Sequence, residues 1–315
     1  MKNPSSILAV LGRSDADQRL LTKASSLARQ FNARLELFLC DAEHAYALKH
    51  EYQLSQSDEA RHACVRDALA YLTELQRSAT LNGLGTHLDA ACESPLYEGI
   101  VRKVSQSRPG LVIKSAAGAH SQAYGAFDPN DWQLMRKCPA TLMMTRGRIW
   151  HTRPRIAALV DISAAETAGM AQNILESAEV LRAVHGGDLD LIYVQPATFD
   201  QRGRKGREQV LRELAKNSHA RVERLHVLQG EPEAVLPSFI RERDYDVLAL
   251  GALTHRETVT PLVGSLTSRL VDSVDCDFVL VRPPSLPRAA DLPAFHRPPV
   301  TEAAVNPTAP QTAAL

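Results

Sequence analysis

Short apolar runs alternate with amphipathic stretches along almost the whole chain, and the order of that alternation occurs twice. In the first half the apolar runs fall at 7–11, 34–39, 86–90, 111–113 and 141–145. Helical patterns at 18–31, 58–79, 95–107 and 129–137 separate them. Across 18–31, Leu20, Leu21, Ala24, Leu27, Ala28 and Phe31 lie on one stripe of a 3.6-residue helix. The second half repeats the order, with strands expected at 155–160, 189–194, 221–228, 247–250 and 278–281. Its helices are expected at 170–185, 207–216, 232–243 and 265–274. Strand and helix in strict alternation predict right-handed crossovers and a parallel sheet covered on both faces. The near-continuous apolar strands fit burial on both sides. The fold class predicted is α/β: two tandem, doubly wound, five-stranded parallel-sheet domains.

The expected boundaries follow from the same pattern. Residues 1–146 form one domain and 155–282 the other. The Arg-rich stretch 147–154, bounded by Gly147 and Pro154, links them. Residues 283–315 are rich in Pro and Ala and lack apolar periodicity, which predicts a disordered tail. The halves can be superposed in sequence. Lys114 to Gly118 falls on Leu250 to Thr254, and Cys138-Pro139-Ala140 falls on Cys276-Asp277-Phe278, just before each closing strand.

Composition removes several function classes. Lys+Arg and Asp+Glu are both 36, so no net charge gathers a polyanion, and nucleic acid is not an expected partner. No run approaches membrane-spanning length, and the run at 7–11 is too short for a signal segment, so a cytoplasmic protein without a membrane partner is expected. The five cysteines are odd in number and show no Cys-x-x-Cys spacing, which predicts reduced, buried thiols. The eleven histidines show no ligand spacing, and neither His-Glu-x-x-His nor Gly-x-Ser-x-Gly occurs, so no metal or catalytic residue is assigned. Trp132 sits within helical periodicity and is read as a packing anchor. Residues 203–207 (Gly-Arg-Lys-Gly-Arg) read as a solvated basic loop.

The most informative segment is 251–265, Gly-Ala-Leu-Thr-His-Arg-Glu-Thr-Val-Thr-Pro-Leu-Val-Gly-Ser. It follows a buried strand and opens a helix at the carboxyl edge of the expected sheet, where open α/β folds bind ligands. Gly251 would let the chain turn sharply, and Gly264 would let backbone N–H groups approach an anion. Ser265 would cap a helix whose start is positively polarised. A turn glycine and a structural cap explain Gly251 and Ser265 equally well, and Asp161 could be a strand-end turn residue.

This segment resembles the Gly-x2-Gly-x9-Gly-Ser/Thr nucleotide loop of the universal stress proteins. Gly251, Gly264 and Ser265 match, while Thr254 departs from the second glycine. Residues 157–161, Ala-Ala-Leu-Val-Asp, resemble the family's first strand, ending in the aspartate on the adenine side. Residues 131–139, Asp-Trp-Gln-Leu-Met-Arg-Lys-Cys-Pro, resemble a signature of the tandem UspE-like subgroup. The resemblance covers roughly 5–283. It implies ATP in the C-terminal domain only, with Mg2+ accompanying it, held by Asp161, Gly251, Thr254, Gly264 and Ser265. It also implies that the closing strands, 141–145 and 278–281, pair into an intramolecular pseudo-dimer, with a homodimer of the whole chain left open.

In the first half, Gly12 stands in the place of Asp161 and Ser115 in that of Gly251. Ala126 and Phe127 fall near the places of Gly264 and Ser265. Asp128 and Asp131 then open the helix, where they would satisfy its dipole and repel a phosphate. Three functions stay open: a stress-response binding or sensor protein for adenine nucleotide, a scaffold or binder of another small apolar ligand, and a weak ATP hydrolase.

Overall fold

The computed structural model describes residues 3–51, 57–116, 127–162, 169–195, 201–252, 270 and 273–282. The first half runs β1 (Ser6–Leu11), α1 (Ala16–Phe31), β2 (Arg34–Cys40), α2 (Ala42–Glu51), α3 (Ser57–Gln76), β3 (Thr86–Ala91), α4 (Leu96–Ser107), β4 (Leu111–Ser115), α5 (Pro129–Lys137) and β5 (Thr141–Thr145). The second runs β6 (Arg155–Leu159), α6 (Met170–His185), β7 (Asp188–Gln195), α7 (Gln201–Asn217), β8 (Arg224–Gln229), α8 (Pro232–Arg243), β9 (Val247–Gly251) and β10 (Asp277–Val281).

The ten strands make one sheet, ordered β3-β2-β1-β4-β5-β10-β9-β6-β7-β8. Read outward from the centre, the two halves have the same order, and every pairing within a half is parallel. The halves meet where β5 and β10 pair antiparallel, with Met144 opposite Phe278, Met143 opposite Val279 and Leu142 opposite Leu280. Each closing strand covers an apolar edge that would otherwise be a template for aggregation. The expected pairing of closing strands is therefore present, and it makes one continuous sheet of the two five-stranded units.

Period-two alternation divides the strand residues between two cores. Ile7, Ala9 and Leu11 face the layer with α1, α3, α6 and α7. Leu8 and Val10 face the layer with α4, α5 and α8. Each core contains residues of both halves. Phe127 bridges them, with its ring centroid 6.1 Å from Phe278 and 5.8 Å from Trp132, so Trp132 packs as expected.

The Arg-rich junction is tied to two fully buried aspartates. Asp277 accepts from the Arg146 N–H at 2.8 Å and Trp150 Nε1 at 2.7 Å, and it pairs with Lys23 of α1. Asp246 accepts from the Arg155 N–H at 2.9 Å and lies 2.9 Å from His151 Nδ1.

Three local expectations need correction. Residues 203–207, read as a loop, lie within α7: neighbouring turns carry Glu208–Arg212 and Gln209–Glu213 pairs that favour a helix over the whole stretch. Helix α2 occupies a stretch for which no element was read. Strand β8 begins at Arg224 rather than 221. Of the helix expected at 265–274, Leu270 and Ser273 are described and helical.

Candidate functional site

Open parallel sheets place their ligand crevices beyond the carboxyl ends of the strands, and in each half the central pair of strands ends side by side. In the second half that pair is β6 and β9, in register from Ile156↔Val247 to Ala158↔Ala249. After β6 the chain passes through buried Val160 to half-buried Asp161 and Ile162. Gly251 ends β9 and is buried. The structure thus brings Asp161 and Gly251 to the same edge of neighbouring strands. Thr254, Gly264 and Ser265 lie outside the described residues.

Tyr193, which the sequence reading did not single out, and Arg207, read there as part of a solvated basic loop, complete this edge. Arg207 of α7 donates from Nη1 to the Ile162 carbonyl at 3.4 Å. Tyr193 of β7 has its hydroxyl pKa pushed up by burial. The Arg207 charge opposes that shift and the Asp161 charge adds to it. Asp161, Tyr193 and Arg207 therefore share one electrostatic environment, offering a carboxylate, a phenol and a guanidinium beside the strand ends. The helix at this edge, α6, starts after Gly169, whose φ of 81° is the left-handed conformation glycine favours. Its described first turn carries no acidic residue. Gly251 also has a packing role: a Cβ there would come within 2.6 Å of Met170 Cε.

The first half is built differently at both equivalent places. Beyond β1, the carboxylate of Asp17, 3% exposed, folds back onto the strand end. It accepts from the Gly12 N–H at 3.1 Å, the Arg13 N–H at 2.9 Å and the Tyr71 hydroxyl at 2.8 Å. The chain's own anion thus occupies the backbone donors at the strand end. Beyond β4, Asp128 and Asp131 form a reciprocal capping box at the start of α5. Asp128 Oδ1 accepts the Asp131 N–H at 2.7 Å, and Asp131 Oδ2 accepts the Asp128 N–H at 3.4 Å. Lys114, from within β4, donates to Asp131 Oδ1 at 2.6 Å. Burial, then the neighbouring Asp131 charge, pushes the Asp128 carboxyl up.

The two carboxylates on α5 were legible from Asp128-Pro-Asn-Asp131. Asp17 was not singled out, although Ser14-x-x-Asp17 ahead of an apolar stripe is a capping pattern. Lys114 carried a signal too, as a lone cation in an otherwise apolar strand.

All five cysteines are free and buried. Burial pushes the Cys138 thiol up to about 11 and raises that of Cys276 as well. Both favour the small-core-residue reading over redox sensing, which needs an exposed, low-pKa thiol. No helix among the described residues is long and apolar enough to cross a membrane.

Comparison with known proteins gives a consistent picture. Residues 159–282 match the universal stress protein family model. Universal stress protein E of Photorhabdus laumondii is 21% identical over 302 residues, covering 90% of this chain and 96% of that protein. The universal stress protein E homolog of Haemophilus influenzae is 22% identical, covering 88% and 97%. Among solved structures, a functionally unknown protein of Pseudomonas aeruginosa PAO1 shares the fold at TM-score 0.70 and 20% identity, covering 92% of this chain and 95% of its own. A universal stress protein from Archaeoglobus fulgidus does so at TM-score 0.66 and 13% identity, covering 89% and 97%. The second half thus matches the universal stress protein family, and the chain as a whole is similar to universal stress protein E of several bacteria over about nine-tenths of its length.

Proposed function

We propose that this protein is a stress-response binding protein that holds one adenine nucleotide, ATP with Mg2+, at the carboxyl edge of its second half, while its first half is a closed copy. The observation that carries this reading is the contrast between the two edges. In the first half Asp17 takes the backbone donors at the strand end, and Asp128 with Asp131 takes those at the helix start. In the second half Asp161 and Gly251 stand at the strand ends, and the first turn of α6, the counterpart of the α1 turn that carries Asp17, has no carboxylate; the counterpart of the α5 start lies outside the described residues. A phosphate needs free N–H donors and no fixed negative charge beside them.

Asp161 would take the base side, and Gly251, Gly264 and Ser265 would cradle the phosphates beside Thr254. Arg207 adds positive charge at the same edge. No nucleophile, base or metal cluster joins Asp161 and Tyr193 there among the described residues, which favours binding over turnover. Calorimetry of the full chain with ATP and Mg2+ tests the reading. Wild type is expected to bind saturably. Gly264→Asp, which sets a carboxylate and a Cβ against the phosphate, is expected to lose binding while remaining folded. Equal heats for the two proteins would retire the nucleotide reading.

A further inference from the structure

The first half, closed to phosphate at β1 and β4, gathers a different set of donors beyond β2 and β3. Asp41 directly follows β2 and Cys92 directly follows β3. The Asp41 N–H donates to the Ala91 carbonyl at 2.8 Å, which fixes the two strand ends together. Asp41 caps α2 by accepting the His44 N–H at 3.1 Å, and the three-residue spacing sets both side chains on one face of the first turn. His44 Nδ1 then lies 2.9 Å from Asp41 Oδ2. Cys64 of α3 packs over them. One donor atom each from Asp41, His44 and Cys64 lies within 4.8 Å of the other two. Cys92 lies in the same small buried cluster as Cys64, which brings a second sulfur beside the group.

We propose that Asp41, His44, Cys64 and Cys92 form a site for a zinc-class divalent ion. Zinc is four-coordinate with Cys, His and carboxylate donors at about 2.0 to 2.3 Å, which places ligand atoms about 3.3 to 3.8 Å apart. The three donors therefore need only a small contraction around an ion. Two sulfurs and an imidazole favour zinc or another soft-accepting metal over magnesium or calcium, which take oxygen ligands. The site has a way in: the His44 side chain is 67% exposed, whereas that of Asp41 is 10% exposed and both cysteines are buried. A cation already stands nearby, Arg13 Nη2 at 4.0 Å from Asp41 Oδ2, but Asp67 holds that guanidinium at 2.7 Å and leaves Asp41 as its weaker partner. Spacing along the sequence could not disclose the group, because its members come from two strand ends and two helices.

Cobalt(II) titration of the reduced, full-length protein tests the assignment, since thiolate ligation gives an intense ultraviolet charge-transfer band. The expected result is one equivalent bound per chain, with the band displaced by zinc. Cys64→Ser and Cys92→Ser are each expected to diminish the band, whereas Cys138→Ser and Cys276→Ser, buried in the core elsewhere, are expected to retain it. His44→Ala removes an exposed ring without touching the core, so it reads the site even if a cysteine variant unfolds. It is expected to weaken cobalt binding by more than the roughly tenfold typical of losing an outer-shell partner. No charge-transfer band with folded wild type, or a band and affinity unchanged in Cys64→Ser and His44→Ala, would overturn the proposal.

Discussion

Replacing Asp277 by Ala tests whether the two halves are one cooperative unit. The carboxylate is fully buried at the start of β10 in the second half, and its partners all come from earlier in the chain. Lys23 of α1 pairs with one oxygen, Trp150 Nε1 donates to it at 2.7 Å, and the Arg146 N–H donates to the other at 2.8 Å. The Lys23 side chain is itself only 11% exposed, with its ammonium 4.7 Å from the Trp150 ring centroid. Breaking a buried ion pair by removing one partner costs about 3 to 5 kcal/mol. The two orphaned N–H groups would each add about 1 to 3 kcal/mol if independent. They belong to the same network, so the terms do not add. The expected loss is about 3 to 5 kcal/mol, a large part of the roughly 5 to 15 kcal/mol that holds a typical protein folded. Urea unfolding, followed by tryptophan fluorescence and far-ultraviolet circular dichroism, measures it, and the two signals should move together in wild type. Adding Lys23→Met to Asp277→Ala should recover part of the loss, with a coupling of about 0.5 to 3 kcal/mol. A loss below about 1 kcal/mol, the range of an exposed pair, would refute the reasoning. So would strict additivity of the two substitutions.

Two other expectations concern the first half and its thiols. Lys114→Met leaves Asp131, which has no exposed surface, without its cation and should cost about 3 to 5 kcal/mol in urea unfolding, part of it regained by adding Asp131→Asn. The Cys138 thiol has a folded-state value pushed up from 9.0 to about 11 by burial. Its neutral form is therefore favoured by folding, with the contribution complete below pH 9.0 and declining as pH rises from 9 through 11. The stability difference between wild type and Cys138→Ala, measured by urea midpoints across that window, should shrink as pH rises; a difference independent of pH would contradict the shift.

Much of the fold was legible because the strongest signals were local. The stripe from Leu20 to Phe31 gave α1, and Asp128-Pro-Asn-Asp131 announced the start of α5. The matched cysteines before each closing strand gave the repeat. What escaped depended on tertiary context. Helix α2 contributes only Ala45 and Leu48 to a small cluster with Cys64 and Cys92, too little for an apolar stripe. Gly203 and Gly206 suggested a loop, yet the flanking turns of α7 carry the helix through them. The continuity of the sheet rests on β5 and β10 pairing across more than a hundred residues. At the candidate site, Asp161 and Gly251 were readable as strand-end residues. Asp17 and Lys114, at the strand ends of the first half, act through partners that only the fold brings near.

Photoaffinity labelling of the full-length protein with an azido analogue of ATP, followed by peptide mapping, asks where the nucleotide binds. Saturable labelling, competed by ATP, is expected only on peptides from 155–282, centred on those carrying Asp161 or 251–265. Label on the peptides around Gly12 or Ser115, or no competed label anywhere, would contradict the proposed site.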